Sequence, residues 1–135
     1  MPELYADSYV TVTLDPELGL VRYLRSERPY PSLESVRSVH TEIARVLKTV
    51  PGRSLKLLID SRAAPPRNDP EFEAEIVRAF AGFSDLFVAR AALIKSAVGK
   101  LQVKRLSRAV WTDSNEPVVF TSQDEALAYL GVSAT

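Results

Sequence analysis

Leu57-Leu58-Ile59-Asp60-Ser61-Arg62-Ala63-Ala64-Pro65-Pro66-Arg67-Asn68-Asp69-Pro70-Glu71-Phe72-Glu73 sets three kinds of segment in a row. An apolar run that begins at Leu55 ends at Asp60, a proline-rich polar loop follows, and Asp69-Pro70 has the composition of a helix start. The run is short and continuous, without the alternation of a strand that has one wet face, so it predicts a central strand covered on both sides. Asp69 stands in the cap position. Pro70 follows at the first helical position, where a missing amide costs nothing, and Glu71 and Glu73 suit the positive end of the helix dipole. In open α/β sheets the carboxyl end of such a strand is where ligands and partners bind.

Upstream, Val10, Val12 and Leu14 alternate with Tyr9, Thr11 and Thr13, the period of a half-buried strand. Asp15-Pro16-Glu17-Leu18-Gly19 supplies a turn and Leu20 to Arg25 resumes the extended pattern, which together predict an antiparallel hairpin. After Arg28-Pro29-Tyr30-Pro31, Ser32 can cap a helix carrying Val36, Val39, Ile43, Val46, Leu47 and Val50 at helical spacing, stopped by Pro51-Gly52. Downstream, Phe72, Ile76, Phe80 and Phe83 form the apolar stripe of a second helix. Residues 88–94 read as a strand and 97–111 as a helix with Val98, Leu101, Leu106, Ala109 and Val110 inward. Residues 117–121 are a short strand, and Ser122-Gln123-Asp124-Glu125 matches a capping box that opens a last helix ending at Gly131.

Helices between strands imply right-handed crossovers and a mainly parallel sheet. The expected fold is a single α/β domain over 8–131: a five-stranded mixed sheet, an N-terminal antiparallel hairpin plus parallel strands near 8–14, 20–25, 55–60, 88–94 and 117–121, flanked by four helices. Residues 1–7 and 132–135 read as flexible termini. Val39, Ile43, Leu58, Ile76, Phe80, Leu93, Leu101 and Leu127 are the expected core.

Composition narrows the function classes. At 135 residues one domain is the default, and 46% hydrophobic with 25% charged residues is the balance of a folded globular chain. Seventeen basic residues offset seventeen acidic ones, so there is no overall drive toward nucleic acid, and any anionic surface would have to be met by a local patch. With no cysteine and one histidine, thiol chemistry and cysteine/histidine metal clusters are excluded, and no cofactor is called for. The opening Met-Pro-Glu-Leu-Tyr-Ala-Asp lacks the basic flank and apolar core of a signal peptide, and no apolar run approaches the ~20 residues of a membrane span. A reducing cytoplasm is the expected address.

The order of elements, the loop after the Leu57–Asp60 strand, and the closing Phe120-Thr121-Ser122-Gln123-Asp124-Glu125-Ala126-Leu127-Ala128-Tyr129-Leu130 together resemble the SpoIIAA-like branch of the STAS-type domains over about residues 8–131. The resemblance implies a bacterial, mostly non-catalytic regulatory module that binds protein partners and sometimes nucleotides, with a link on fold grounds to lipid-binding domains. In the anti-sigma antagonists of that group a serine at the start of the second helix is a phosphorylation switch. Here that place reads Arg67-Asn68-Asp69-Pro70, with no hydroxyl. The chain departs from the switch pattern and keeps only the expectation of partner binding.

Two surfaces are candidates for it. At the strand end, Asp60 can act as a base or grip a basic group, Arg62 and Arg67 can hold an anion with two parallel donors, and Ser61, Asn68 and Asp69 complete the loop. The plainer alternative has Asp60 accepting amides of its own loop and the arginines solvated or paired locally. Ser61 lacks the neighbouring base and nucleophile elbow that serine catalysis needs. The second surface is the basic face of the 97–111 helix, where Lys100, Lys104 and Arg108 recur every four residues beside Lys95, Gln102 and Arg105. It suits phosphates, lipid headgroups or an acidic partner, and a solvated helix face explains it equally. Glu71, Glu73 and Glu75 on the preceding helix would pair with it within the chain or across a homodimer. His40 falls at the border of the first helix's buried stripe and reads as structural. Phe83, Phe87 and Trp111 are ordinary core, with an apolar ligand cavity as the alternative.

The expected function is therefore a non-enzymatic binding or regulatory module with a protein partner, and the alternative is a carrier of lipid or another small apolar ligand. An acid/base enzyme using Asp60, Glu71 and His40 ranks last. If Asp69 caps the second helix, Asp69→Ala costs about 1 kcal/mol. Paired denaturant melts check this, and a variant equal to the parent would place the helix start elsewhere.

Overall fold

The structure, a computed structural model, describes residues 3–50, 55–65, 70–95 and 118–132. Its strands are β1 (Glu3–Ala6), β2 (Val10–Asp15), β3 (Leu20–Arg25), β4 (Lys56–Asp60), β5 (Ala89–Leu93) and β6 (Val118–Phe120), and its helices α1 (Leu33–Lys48), α2 (Pro70–Ser84) and α3 (Gln123–Leu130). The strands lie side by side in chain order. β1–β2 and β2–β3 pair antiparallel, while β3–β4, β4–β5 and β5–β6 pair parallel. A mixed α/β sheet was expected.

β4 explains why the sheet needs a layer on each side. Leu57, Leu58 and Ile59 are all buried, although successive side chains of a strand point to opposite faces. Leu57 and Ile59 join Val10, Val12, Val21 and Tyr23 in one cluster with α1 and Phe72 and Phe83 of α2. Leu58 joins Leu20, Ala91 and Leu93 under Ala126, Leu127 and Leu130 of α3. Each of the three β4 side chains removes enough apolar surface from water to contribute about 1.5–3 kcal/mol.

The helix ends follow the sequence signals. Ser32 caps α1 by accepting from Ser35 N at 3.1 Å, and the Ser35 hydroxyl returns a bond by accepting from Ser32 N at 3.2 Å. Ser122 caps α3 by accepting from Glu125 N. Gly131 ends it at φ 73°, a left-handed conformation that L side chains resist.

Three expectations are corrected. The sheet has six strands among the described residues, not five, because Glu3–Ala6 pairs with β2 where a loose terminus was expected. A register shift between Glu3 and Tyr5 lets both Leu4 and Tyr5 pack on the first cluster, so the segment carries no period-two signal to read. Val132, expected in a loose tail, is buried against α3's cluster. Three helices are described rather than four, since the expected 97–111 helix lies outside the described residues, as does core candidate Leu101. Val39, Ile43, Leu58, Leu93 and Leu127 are buried, whereas Ile76 and Phe80 are only half-buried. α2 turns Phe72, Val77 and Phe83 inward and leaves those two at the margin.

A Cβ at Gly131 would meet nothing closer than Lys56 Nζ at 3.4 Å, so a substitution there pays only for the backbone. Gly131→Ala is expected to cost about 1–2 kcal/mol with no change in fold. Chemical denaturation checks this, and an unchanged midpoint would show that the end of α3 rearranges freely.

Candidate functional site

Asp60 is the last residue of β4 and stands in register with Leu24 of β3 and Leu93 of β5, so its carboxylate emerges at the carboxyl edge of the sheet. The chain leaves β4 still tied to that edge: Ser61 N donates to Leu93 O at 2.9 Å, and Ala64 N closes a turn onto Ser61 O at 3.1 Å. This turn brings Arg62 back over Asp60. Arg62 N and Nε donate to Asp60 Oδ1 at 3.1 and 3.0 Å, and Nη2 donates to Oδ2 at 2.8 Å. The same Nη2 reaches Gln123 Oε1 at 3.1 Å, linking the loop to the first residue of α3.

Asp60 and Arg62 play unequal parts. The Asp60 side chain is 14% exposed and that of Arg62 43% exposed, so the carboxylate is the inner anchor and the guanidinium the outer surface. Burial raises the Asp60 carboxyl, but the side-chain and backbone hydrogen bonds from Arg62 and the charges of Arg62 and Arg22 outweigh it and hold it below the usual carboxylate range. A carboxylate held low is a weak base. Both of its oxygens accept from Arg62 of its own loop, and the positive side of the pair faces outward.

Ser61 sits at this edge without a base. The chain's one histidine, His40, lies in α1 with Nε2 on the Tyr23 hydroxyl at 2.5 Å and Nδ1 on Val36 O at 2.7 Å. It is buried at 3% exposure and not at a border, because 36, 40, 43 and 47 are the true centre of α1's inner stripe. Arg67, Asn68 and Asp69, and the basic-face residues Lys100, Lys104 and Arg108, lie outside the described residues, as does Trp111. Among the described residues no group of three or more His, Cys, Asp or Glu side chains could hold a metal ion, and no helix is long and apolar enough to cross a membrane.

Sequence reasoning missed three partners. Gln123 is 61 residues from Arg62 and only the packing of α3 brings it there. Glu75 ion-pairs with Arg37 of α1 and Arg78 of its own helix, while the basic helix with which it was expected to pair lies outside the described residues. Tyr23, read as one more strand residue, is the partner of His40. Helical spacing alone could have found the last, by placing His40 four residues after Val36 and three before Ile43.

Two concavities lie elsewhere on the described surface. One of about 240 Å³, lined by Val21, Leu47, Lys48, Val50, Leu55, Leu86 and Phe87, lies at the amino end of β3 and β4, away from Asp60. The other, of about 330 Å³, runs between α1 and α2 past Leu33, Arg37, Pro70, Ala74, Glu75 and Arg78. Phe87 lines the first, whereas Phe83 is fully buried core.

Comparison with family models, with curated proteins and with solved structures returned no match to this chain.

Because the Asp60 carboxyl is lowered in the folded state, its ionisation stabilises the fold above the ordinary carboxyl pKa, near 3.9, and that contribution is lost as pH falls through the folded value. In Arg62→Ala the Asp60 titration is expected to move upward, burial then being opposed mainly by Arg22, with the acid-side loss of stability reduced. Carboxyl-carbon NMR titration of the two proteins checks this. An unmoved Asp60 midpoint would show that Arg62 does not hold it.

Proposed function

We propose that the chain is a non-enzymatic, cytoplasmic binding and regulatory module of STAS-like, SpoIIAA-like type, which meets a protein partner at the carboxyl edge of its sheet. The observation that carries the reading is the Arg62 guanidinium. Its inner face is fixed by Asp60 and Gln123 and its outer part is exposed. A guanidinium held in one orientation loses little conformational entropy on binding and offers donors to a planar acidic group. The exposed donors of that guanidinium suit an acidic residue on the partner.

The carrier alternative has less support. The apolar pocket at the opposite end, about 240 Å³, falls below the roughly 300–1,000 Å³ of small-molecule sites, and the groove of about 330 Å³ between α1 and α2 is lined by the charged Arg37, Glu71, Glu75 and Arg78. Acid/base catalysis is disfavoured by the low Asp60 carboxyl and by the engagement of both His40 nitrogens. A serine-phosphate switch at the start of α2 is disfavoured by Arg67, Asn68 and Asp69, which have no hydroxyl.

The test compares capture of partners from lysate of the source cell by three proteins, read by mass spectrometry with melting curves alongside. Arg62→Ala combined with Arg67→Ala is expected to lose the partner retained by the parent while staying folded, the loss of the part-exposed Asp60–Arg62 pair costing about 1 kcal/mol. Lys100→Glu with Lys104→Glu is expected to retain it. The reverse pattern would move the site to the basic 97–111 segment. A lipid or other apolar molecule in native mass spectra of the parent would favour the carrier instead.

A further inference from the structure

We propose that His40, Tyr23 and Tyr30 form an acid-released catch that holds the connection between β3 and α1, residues 26–32, against the α1–α2 layer. The Val36 carbonyl, 2.7 Å from His40 Nδ1, can only accept, so Nδ1 carries a hydrogen and Nε2 of the neutral ring is left as an acceptor. The Tyr23 hydroxyl, 2.5 Å from Nε2, donates to it. Its hydrogen is thereby committed to His40, and its oxygen faces the hydroxyl of Tyr30. Tyr23, Tyr30 and His40 are each 3% exposed or less, and Phe80 and Phe83 of α2 pack around Tyr23. The hydrogen bonds thus run in one direction, from Tyr23 through His40 to the Val36 carbonyl, in a site buried from solvent.

A proton added to His40 reverses that direction. Nε2–H would then face the Tyr23 oxygen, and Tyr23 would have to turn its own hydrogen toward Tyr30, beside which stands a cation. The Arg25 guanidinium lies 4.3 Å from the centre of the Tyr30 ring, and its Nη1 donates to the carbonyls of Tyr9 and Ser26. The acids that act on His40 are committed elsewhere. Asp7, in the β1–β2 turn, accepts from Tyr5 Oη, Tyr9 N and Val10 N, and Glu75 of α2 is paired with Arg37 and Arg78. Burial, the largest effect, and Arg25 disfavour the imidazolium, and the bond to Val36 with the pull of Asp7 and Glu75 only partly offsets them.

The 26–32 connection is the part that yields. Tyr23 and His40 stand on regular elements, whereas Tyr30 reaches the core from a stretch without ladder or helix bonds. That stretch is held by its stack on Tyr9 at 4.8 Å, by Ser26 N on Tyr9 O and by Ser26 Oγ on Ser8 O. Segments with few backbone bonds of their own open at the lowest cost. An open form would bind a proton with the ordinary histidine pKa, near 6.5, while the closed form resists it. The opening equilibrium therefore rises about tenfold per pH unit below 6.5, until the closed form itself takes up the proton.

His40 is the chain's single histidine, so its ring resonances are unambiguous. The experiment follows them by NMR from pH 7.5 to 5 on the whole protein, together with amide protection factors, in the parent, His40→Gln and Tyr23→Phe. The result expected is a fall of about tenfold per pH unit in protection of residues 26–36, beginning near pH 6.5 and levelling off where the His40 resonances titrate, with residues 57–59 still protected. His40→Gln, a non-titrating acceptor for Tyr23, should flatten that fall. Tyr23→Phe, which frees Nε2 in the closed form and leaves the open form's pKa unchanged, should end the fall at higher pH. Protection at 26–36 that is flat in the parent, or that falls equally in His40→Gln, overturns the proposal. Should His40→Gln fail to fold, the parent decides alone: a loss spread equally over 26–36 and 57–59, or a His40 titration near 6.5 without loss of protection, overturns it.

Discussion

A strand without a wet face organises this molecule. Leu57, Leu58 and Ile59 cannot all be buried by one layer, because alternate side chains leave a strand on opposite sides. α1 and α2 therefore cover one face and α3 the other. The same constraint places the polar chemistry. Within β4 charge is admitted only at the ends, Lys56 and Asp60, and only Asp60 lies at the edge where the chain turns out into a loop. A carboxylate there is partly buried by the layers that cover the strand, and so it needs a counter-charge close by. Arg62, two residues on, supplies it at the least cost in loop length.

What could be read from the residues alone was whatever local signals agreed upon. The hairpin of β2 and β3, the continuous run of β4, the Ser32 and Ser122 caps and the Gly131 stop each combine a period with a boundary residue, and all are found in the structure. β1 was illegible because its bulge sends both Leu4 and Tyr5 toward the core, which erases alternation in a four-residue strand. The inner face of α2 was read one step off, at Ile76 in place of Val77, since the aromatic spacing of Phe72, Phe80 and Phe83 fits more than one rotation of the helix. For the site, the Asp60–Arg62 pair is local and was legible as a plain alternative. Gln123 was not, because 61 residues separate it from Arg62 and only tertiary packing joins them.

Among the described residues, two largely buried carboxylates are held by arginine, with different consequences. Glu75 lies between α1 and α2, its side chain 10% exposed, with Arg37 and Arg78 reaching it from the rim at 61% and 63%. All three stand on helices, so the cluster fixes how the helix pair meets, and its charges are matched at the rim by the acidic Glu71 in the same groove. Asp60 is held by a loop residue whose outer part remains open, and no acidic residue other than Asp60 is paired with Arg62 among the described residues. The same chemical pair thus serves as a rivet between helices in one place and as a mount for an exposed cation in the other.

Among the described residues, Arg25, His40 and Glu75 are the acidic and basic side chains buried on the α1–α2 side of the sheet. Arginine keeps its charge at every physiological pH, and Glu75 is engaged by the guanidiniums of Arg37 and Arg78. Histidine alone changes charge near neutrality. The fold gives that residue two hydrogen bonds suited to the neutral ring, places a cation near its tyrosine partners, and closes the cluster with a connection that has little backbone structure of its own. Packing that served stability alone would be met as well by an apolar side chain at position 40, which fills the same space without two polar atoms to satisfy. A buried histidine at this junction instead ties the anchoring of residues 26–32 to proton concentration. It does so at the sheet edge where Leu24 and Asp60 stand in register, next to the exposed Arg62.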